Sequence, residues 1–81
     1  MKGKEKLADL ALVQKARAKL ITTLGYDPRV VEIRAEKGVI FLRGTVSSSA
    51  LKKDCERIVA AIEGVDHVEN ELSVAQYHQY T

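Results

Sequence analysis

Val30-Val31-Glu32-Ile33-Arg34-Ala35-Glu36-Lys37-Gly38-Val39-Ile40-Phe41-Leu42-Arg43-Gly44-Thr45-Val46 is the stretch whose reading decides the fold. Val31, Ile33 and Ala35 alternate with charged residues, the period-two pattern of a strand buried on one face. Lys37-Gly38 supplies a tight turn in which glycine tolerates positive φ, and Val39 to Val46 returns as a second strand. A two-residue turn at 37–38 sets Glu36 opposite Val39. Ala35 then faces Ile40, Ile33 faces Leu42 and Val31 faces Gly44. On the other side Arg34 meets Phe41, and Glu32 meets Arg43 with opposite charge. A slip by one residue would turn the apolar set to solvent, so a register satisfying both faces points to a hairpin.

Working outward, Leu7 to about Leu24 is helix-periodic, with Leu12, Val13, Ala16, Leu20 and Leu24 on a core face and Asp9 placed to cap its start. Gly25-Tyr26-Asp27-Pro28 has the turn chemistry that ends a helix. After the hairpin, Ser47-Ser48-Ser49 offers N-caps for an amphipathic helix reaching about Glu63. Leu51, Cys55, Ile58, Val59 and Ile62 share its inner face, and Gly64 follows. Val68, Asn70, Leu72 and Val74 alternate as a third strand, with His67, Glu69, Glu71 and Ser73 facing away. The span from Val46 to Val68 is long enough for a helical crossover, which allows this strand to run parallel to the second. The expected fold is a two-layer α+β domain of order αββαβ, with two helices packed on one face of a three-stranded mixed sheet. Residues 1–7 read as a basic N-terminal extension, 8–75 as a single domain and 76–81 as a polar tail.

Composition bounds the function. Eighty-one residues hold one modest core, and a lone cysteine excludes an internal disulfide. Apolar residues at 46% and charged residues at 30% are ordinary for a folded domain. Thirteen basic against eleven acidic residues give a net charge of +2, too little to argue for nucleic acid. No apolar run approaches the roughly 18 residues of a membrane span, and no apolar core follows the charged N-terminus as in a secretory signal. Read as written, the chain is expected in the cytoplasm; as a domain excised from an exported precursor, it belongs to the periplasm or envelope.

Residues with chemical potential are few. Cys55 falls in the middle of an apolar helix face, where a thiol acts as a small hydrophobe rather than a nucleophile. His67 reads as a solvated strand residue and His78 as a tail residue, with no spacing to Cys55 that suits a metal. Glu69 and Glu71 share an open sheet face with Arg34 and Arg43 nearby, so they read as a solvated surface. Neither a phosphate-binding glycine loop nor the stacking aromatics of an RNA-binding sheet is present, since Phe41 stands alone on its face. No catalytic residue, cofactor or metal is expected.

The first helix carries more apolar surface than one core contact needs. Leu7, Leu10, Ala11, Ala18 and Ile21 form a second stripe, with Lys15, Arg17 and Lys19 close by and Lys2, Lys4 and Lys6 ahead of it. Leu7, Leu10, Lys15, Arg17, Lys19 and Ile21 are therefore the candidate surface-binding residues. The partners they suit are an anionic phospholipid surface or a protein, including a second copy in a homodimer.

Most of the chain resembles the BON domain, a bacterial module named after osmotically induced and nodulation proteins. The resemblance rests on Asp9, Leu12, Ala16 and Leu20, on Val31-x-Ile33 and on Gly38-Val39-Ile40-Phe41-Leu42-Arg43-Gly44-Thr45-Val46. It rests further on Gly64-Val65-Asp66-His67-Val68-Glu69-Asn70-Glu71-Leu72-Ser73-Val74, and covers about residues 8 to 75. It implies the αββαβ fold and a non-enzymatic role, either attachment to phospholipid membranes or contact with other proteins of an envelope or stress-response assembly. Gly44 is expected on the core face where a helix comes close, and Asn70 is expected inward, bonding nearby backbone.

Overall fold

The computed structural model describes residues 2–25 and 30–75, with side chains from Ala8 onward. The turn expected at Tyr26-Asp27-Pro28, the side chains of Lys2, Lys4, Lys6 and Leu7, and the tail after Ala75 with His78 lie outside the described residues. The element order is α1 (Lys2–Leu24), β1 (Val31–Glu36), β2 (Val39–Val46), α2 (Ser49–Ala60) and β3 (His67–Val74). The sheet order is β1-β2-β3, antiparallel between the first two and parallel between the last two. This is the expected αββαβ α+β fold, and every hairpin pair from Val31↔Gly44 to Glu36↔Val39 has the register read from the sequence. Both turn residues adopt positive φ, 51° at Lys37 and 86° at Gly38, which matches the right-handed twist of the flanking strands.

One core joins the layers. Leu12, Ala16 and Leu20 of α1 and Cys55 and Val59 of α2 close over Val31, Ile33, Ile40, Leu42, Val46, Val68 and Leu72 of the sheet. Among the described residues no polar or charged side chain is classed as buried there, so apolar burial is the main force holding the interior. Ser48 caps α2, its Oγ accepting from the Leu51 N–H at 3.1 Å. The helix ends at Ala60, short of Glu63. Ile62 N–H then bonds Val59 O and Val65 N–H bonds Ile62 O, both at 3.1 Å, and these tighter turns keep Ile62 against the core.

Three local expectations are corrected. The first helix begins at Lys2, because Lys, Glu, Leu and Ala between 4 and 11 sustain it, so Asp9 lies inside the helix and caps nothing there. Its Oδ1 instead accepts the Lys37 N–H at 3.0 Å, fastening α1 to the hairpin turn. At Gly44 the close approach expected from a helix is made first by the neighbouring strand. With φ of 140°, a Cβ there would run into the Val30 carbonyl oxygen and lie 3.2 Å from Val31 Cα, so it is the neighbouring strand that demands glycine. Gly64 lies beyond the helix end and not at it; there a Cβ would stand 3.2 Å from Leu12 Cδ2.

Asn70 does what its inward placement predicts. Its Nδ2 donates to Lys52 O at 3.0 Å and Glu56 Oε1 at 3.1 Å, while its Oδ1 accepts from Leu72 N–H at 3.2 Å. One side chain thereby ties the edge strand β3 to α2.

Candidate interaction surface

Helical geometry sorts the five candidate residues whose side chains are described, Leu7 lying outside them. At about 100° per residue, Leu10, Arg17 and Ile21 fall within about 40° of one another on a single ridge of α1. Lys15 and Lys19 lie about 140° and 180° round from Leu10, at the far side of the solvent arc. Leu10 is 54% exposed and Ile21 40%, and Arg17, Lys15 and Lys19 are all exposed. Between ridge and lysines the arc is floored by the exposed Ala11, Gln14, Ala18 and Thr22. From Leu10 to Leu24 the helix carries three cations and no carboxylate; its nearest acid, Asp9, is bonded to the hairpin turn. Exposed apolar and cationic side chains thus share one uninterrupted arc.

The opposite surface, the open face of the sheet, has a different character. Arg43 Nε sits 3.5 Å from Glu71 Oε1, and His67 Nε2 sits 2.8 Å from Glu69 Oε2, all on exposed side chains beside a half-buried Phe41. Such exposed pairs contribute little to stability. Both signs are interleaved, so this face offers no uniform potential to an anion.

Two further surface features stand outside the candidate set. Val30 is 45% exposed just ahead of β1; the strand alternation that puts Val31, Ile33 and Ala35 inward already assigns it outward. A groove of about 840 Å³ runs beside β1, with Leu10 and Val13 on one wall and Arg34, Phe41 and Arg43 on the other. It joins residues from α1 and all three strands, and only packing brings them together.

Cys55 is fully enclosed in the core, and no group of three His, Cys, Asp or Glu side chains that could hold a metal occurs among the described residues. No helix among them is long and apolar enough to cross a membrane.

The family model of the BON domain matches residues 8–76. The chain belongs to the BON domain family. Osmotically-inducible protein Y of Escherichia coli (strain K12) is 36% identical over 64 residues, which cover 79% of this chain and 32% of that protein. This BON domain therefore spans about a third of the relative it matches. The resemblance carried by the hairpin block and the β3 block is confirmed, and both blocks now have physical roles. The first holds the type I′ turn and Gly44; the second holds Asn70 and the strand that closes the sheet.

Proposed function

We propose that this BON domain is a non-enzymatic module that attaches to anionic phospholipid surfaces through the outer arc of α1. The observation that carries the reading is the segment from Leu10 to Leu24, where exposed Leu10 and Ile21 accompany Lys15, Arg17 and Lys19 without a carboxylate. A helix lying at the interface sinks apolar side chains among the acyl chains and keeps cations at the headgroups. Each cation near an anionic leaflet contributes about 1 kcal/mol, so three together are worth roughly a hundredfold in affinity at low salt. The osmotic induction named for the relative fits a module working at the cell envelope under osmotic stress. The enclosed Cys55 and the open setting of His67 and Glu69 support a role without catalysis.

Co-sedimentation with phosphatidylglycerol vesicles tests this. The chain should pellet at low ionic strength, be released by salt because headgroup attraction is screened, and stay in solution with pure phosphatidylcholine. Replacing Lys15, Arg17 and Lys19 together by Gln should abolish pelleting without altering the circular dichroism. Failure to pellet at low salt, or unchanged pelleting by the triple variant, would overturn the reading.

A further inference from the structure

The outer ridge of α1 has a spacing that the core does not require. Leu7, Leu10, Gln14, Arg17, Ile21 and Leu24 follow at intervals of three and four residues in alternation, the a and d positions of a heptad seam. Leu10, Gln14, Arg17 and Ile21 are exposed and Leu24 is half-buried, whereas the core takes Leu12, Ala16 and Leu20 from another side of the helix. The series reads alike in both directions: leucine at each end, Leu10 and Ile21 next, Gln14 and Arg17 in the middle.

We propose that two copies of this chain pair through α1 as an antiparallel coiled coil, its two-fold axis level with the midpoint of Gln14 and Arg17. Positions symmetric about that axis then meet, so Leu10 of each copy packs on Ile21 of the other and Leu7 falls level with Leu24. This covers Leu10 and Ile21, which are 54% and 40% exposed in the monomer. Gln14 lies beside Arg17 of the other copy, its amide oxygen accepting from the guanidinium. Such a polar pair in the seam fixes register and partner number. A parallel pair would instead set Arg17 against Arg17, like charges in contact. Lys15 and Lys19 point away from the seam, and the flank between is lined by Ala11 and Ala18, small enough for close approach. The helix also has the length. Its 23 residues span about 34 Å, against about 20 Å for the six-residue β1. About two turns therefore project past the hairpin turn that Asp9 reaches. The pairing covers the ridge that the lipid reading uses, so the dimer is the lipid-free form. It is measured without lipid, and its failure leaves that reading standing.

Sedimentation equilibrium of the full chain should show a monomer–dimer equilibrium. Gln14→Glu turns each Gln–Arg contact into an ion pair and should tighten the dimer about fivefold. Leu10→Glu sets a carboxylate against Ile21 twice and should weaken it by about tenfold or more; the site is exposed in the monomer, and circular dichroism checks that the fold is kept. Orientation is read by cross-linking under oxidising conditions, with Cys55 enclosed in the core and out of reach. Copies carrying Leu10→Cys should link to copies carrying Ile21→Cys. Neither should link to itself, because positions 10 of the two copies lie about 16 Å apart along the axis. A chain that stays monomeric at every attainable concentration overturns the proposal. So does a dimer that Leu10→Glu leaves intact or Gln14→Glu does not tighten, or Leu10→Cys copies that link to one another in preference to the mixture.

Discussion

Replacing Asn70 probes the joint between β3 and α2. Asn70→Ala removes the bonds from Nδ2 to Lys52 O and Glu56 Oε1 and the acceptor of the Leu72 N–H. Glu56 is exposed and regains water, so its loss costs little. Leu72 is only 2% exposed, and a buried donor left unpaired costs about 1–3 kcal/mol. The half-buried Lys52 carbonyl adds about 1 kcal/mol. The sum, about 2–4 kcal/mol, is a large part of the roughly 5–15 kcal/mol that holds a domain folded. In a domain of this size it should lower the melting temperature by roughly 10–30 °C. Asn70→Asp sharpens the test. It keeps the acceptor for Leu72 but sets a carboxylate against the Lys52 carbonyl and the Glu56 carboxylate, which raises the introduced group's pKa in the folded state. A raised folded-state pKa favours folding below the ordinary carboxyl value of about 3.9, and that advantage is lost as pH rises through the folded value. The Asp variant should therefore be destabilised at neutral pH and recover relative to Asn70→Ala as pH falls through that window. Urea unfolding followed by circular dichroism, at constant m, measures both variants. A loss below about 0.5 kcal/mol for Asn70→Ala, smaller than one typical hydrogen bond, would refute the reasoning, as would an Asp variant as stable as the parent at pH 7.

Two further substitutions address the corrected positions. Gly44→Ala, at φ of 140° and against the Val30 carbonyl, should cost more than the ~1–3 kcal/mol of backbone strain alone, because β1 must also move away; thermal unfolding measures it, and a shift no larger than that of an exposed glycine replacement would contradict the strand contact. Asp9→Ala should lose about 0.5–1.5 kcal/mol and speed exchange of the Lys37 amide, whereas a helix-start cap would instead fray the residues around Asp9 and leave the hairpin turn unaffected.

How much of this was legible in the sequence follows from the range of the forces involved. The hairpin register was readable because a two-residue turn is local chemistry and a period of two commits every side chain to one face or the other. The helix faces were readable for the same reason, with Leu12, Ala16 and Leu20 recurring at helical spacing and proving buried. The exposed stripe of Leu10 and Ile21 was visible as apolar residues in excess of what one core contact requires. The grouping of the candidate surface was less visible, since Leu10, Arg17 and Ile21 share a ridge while Lys15 and Lys19 stand across the arc.

Sequence alone thus determined the element order, the hairpin register and the identity of the core, because each is written in patterns a few residues long. The tertiary structure decided what distant groups do to one another. Asp9 reaches Lys37 across 28 residues, and Asn70 reaches Lys52 across 18. Gly44 is demanded by the backbone where β1 begins, and β1 lies at the edge of the sheet because the strand order places it outside β2. Those outcomes depend on how the layers dock. Docking is set by the summed packing of the whole core, which no local pattern encodes.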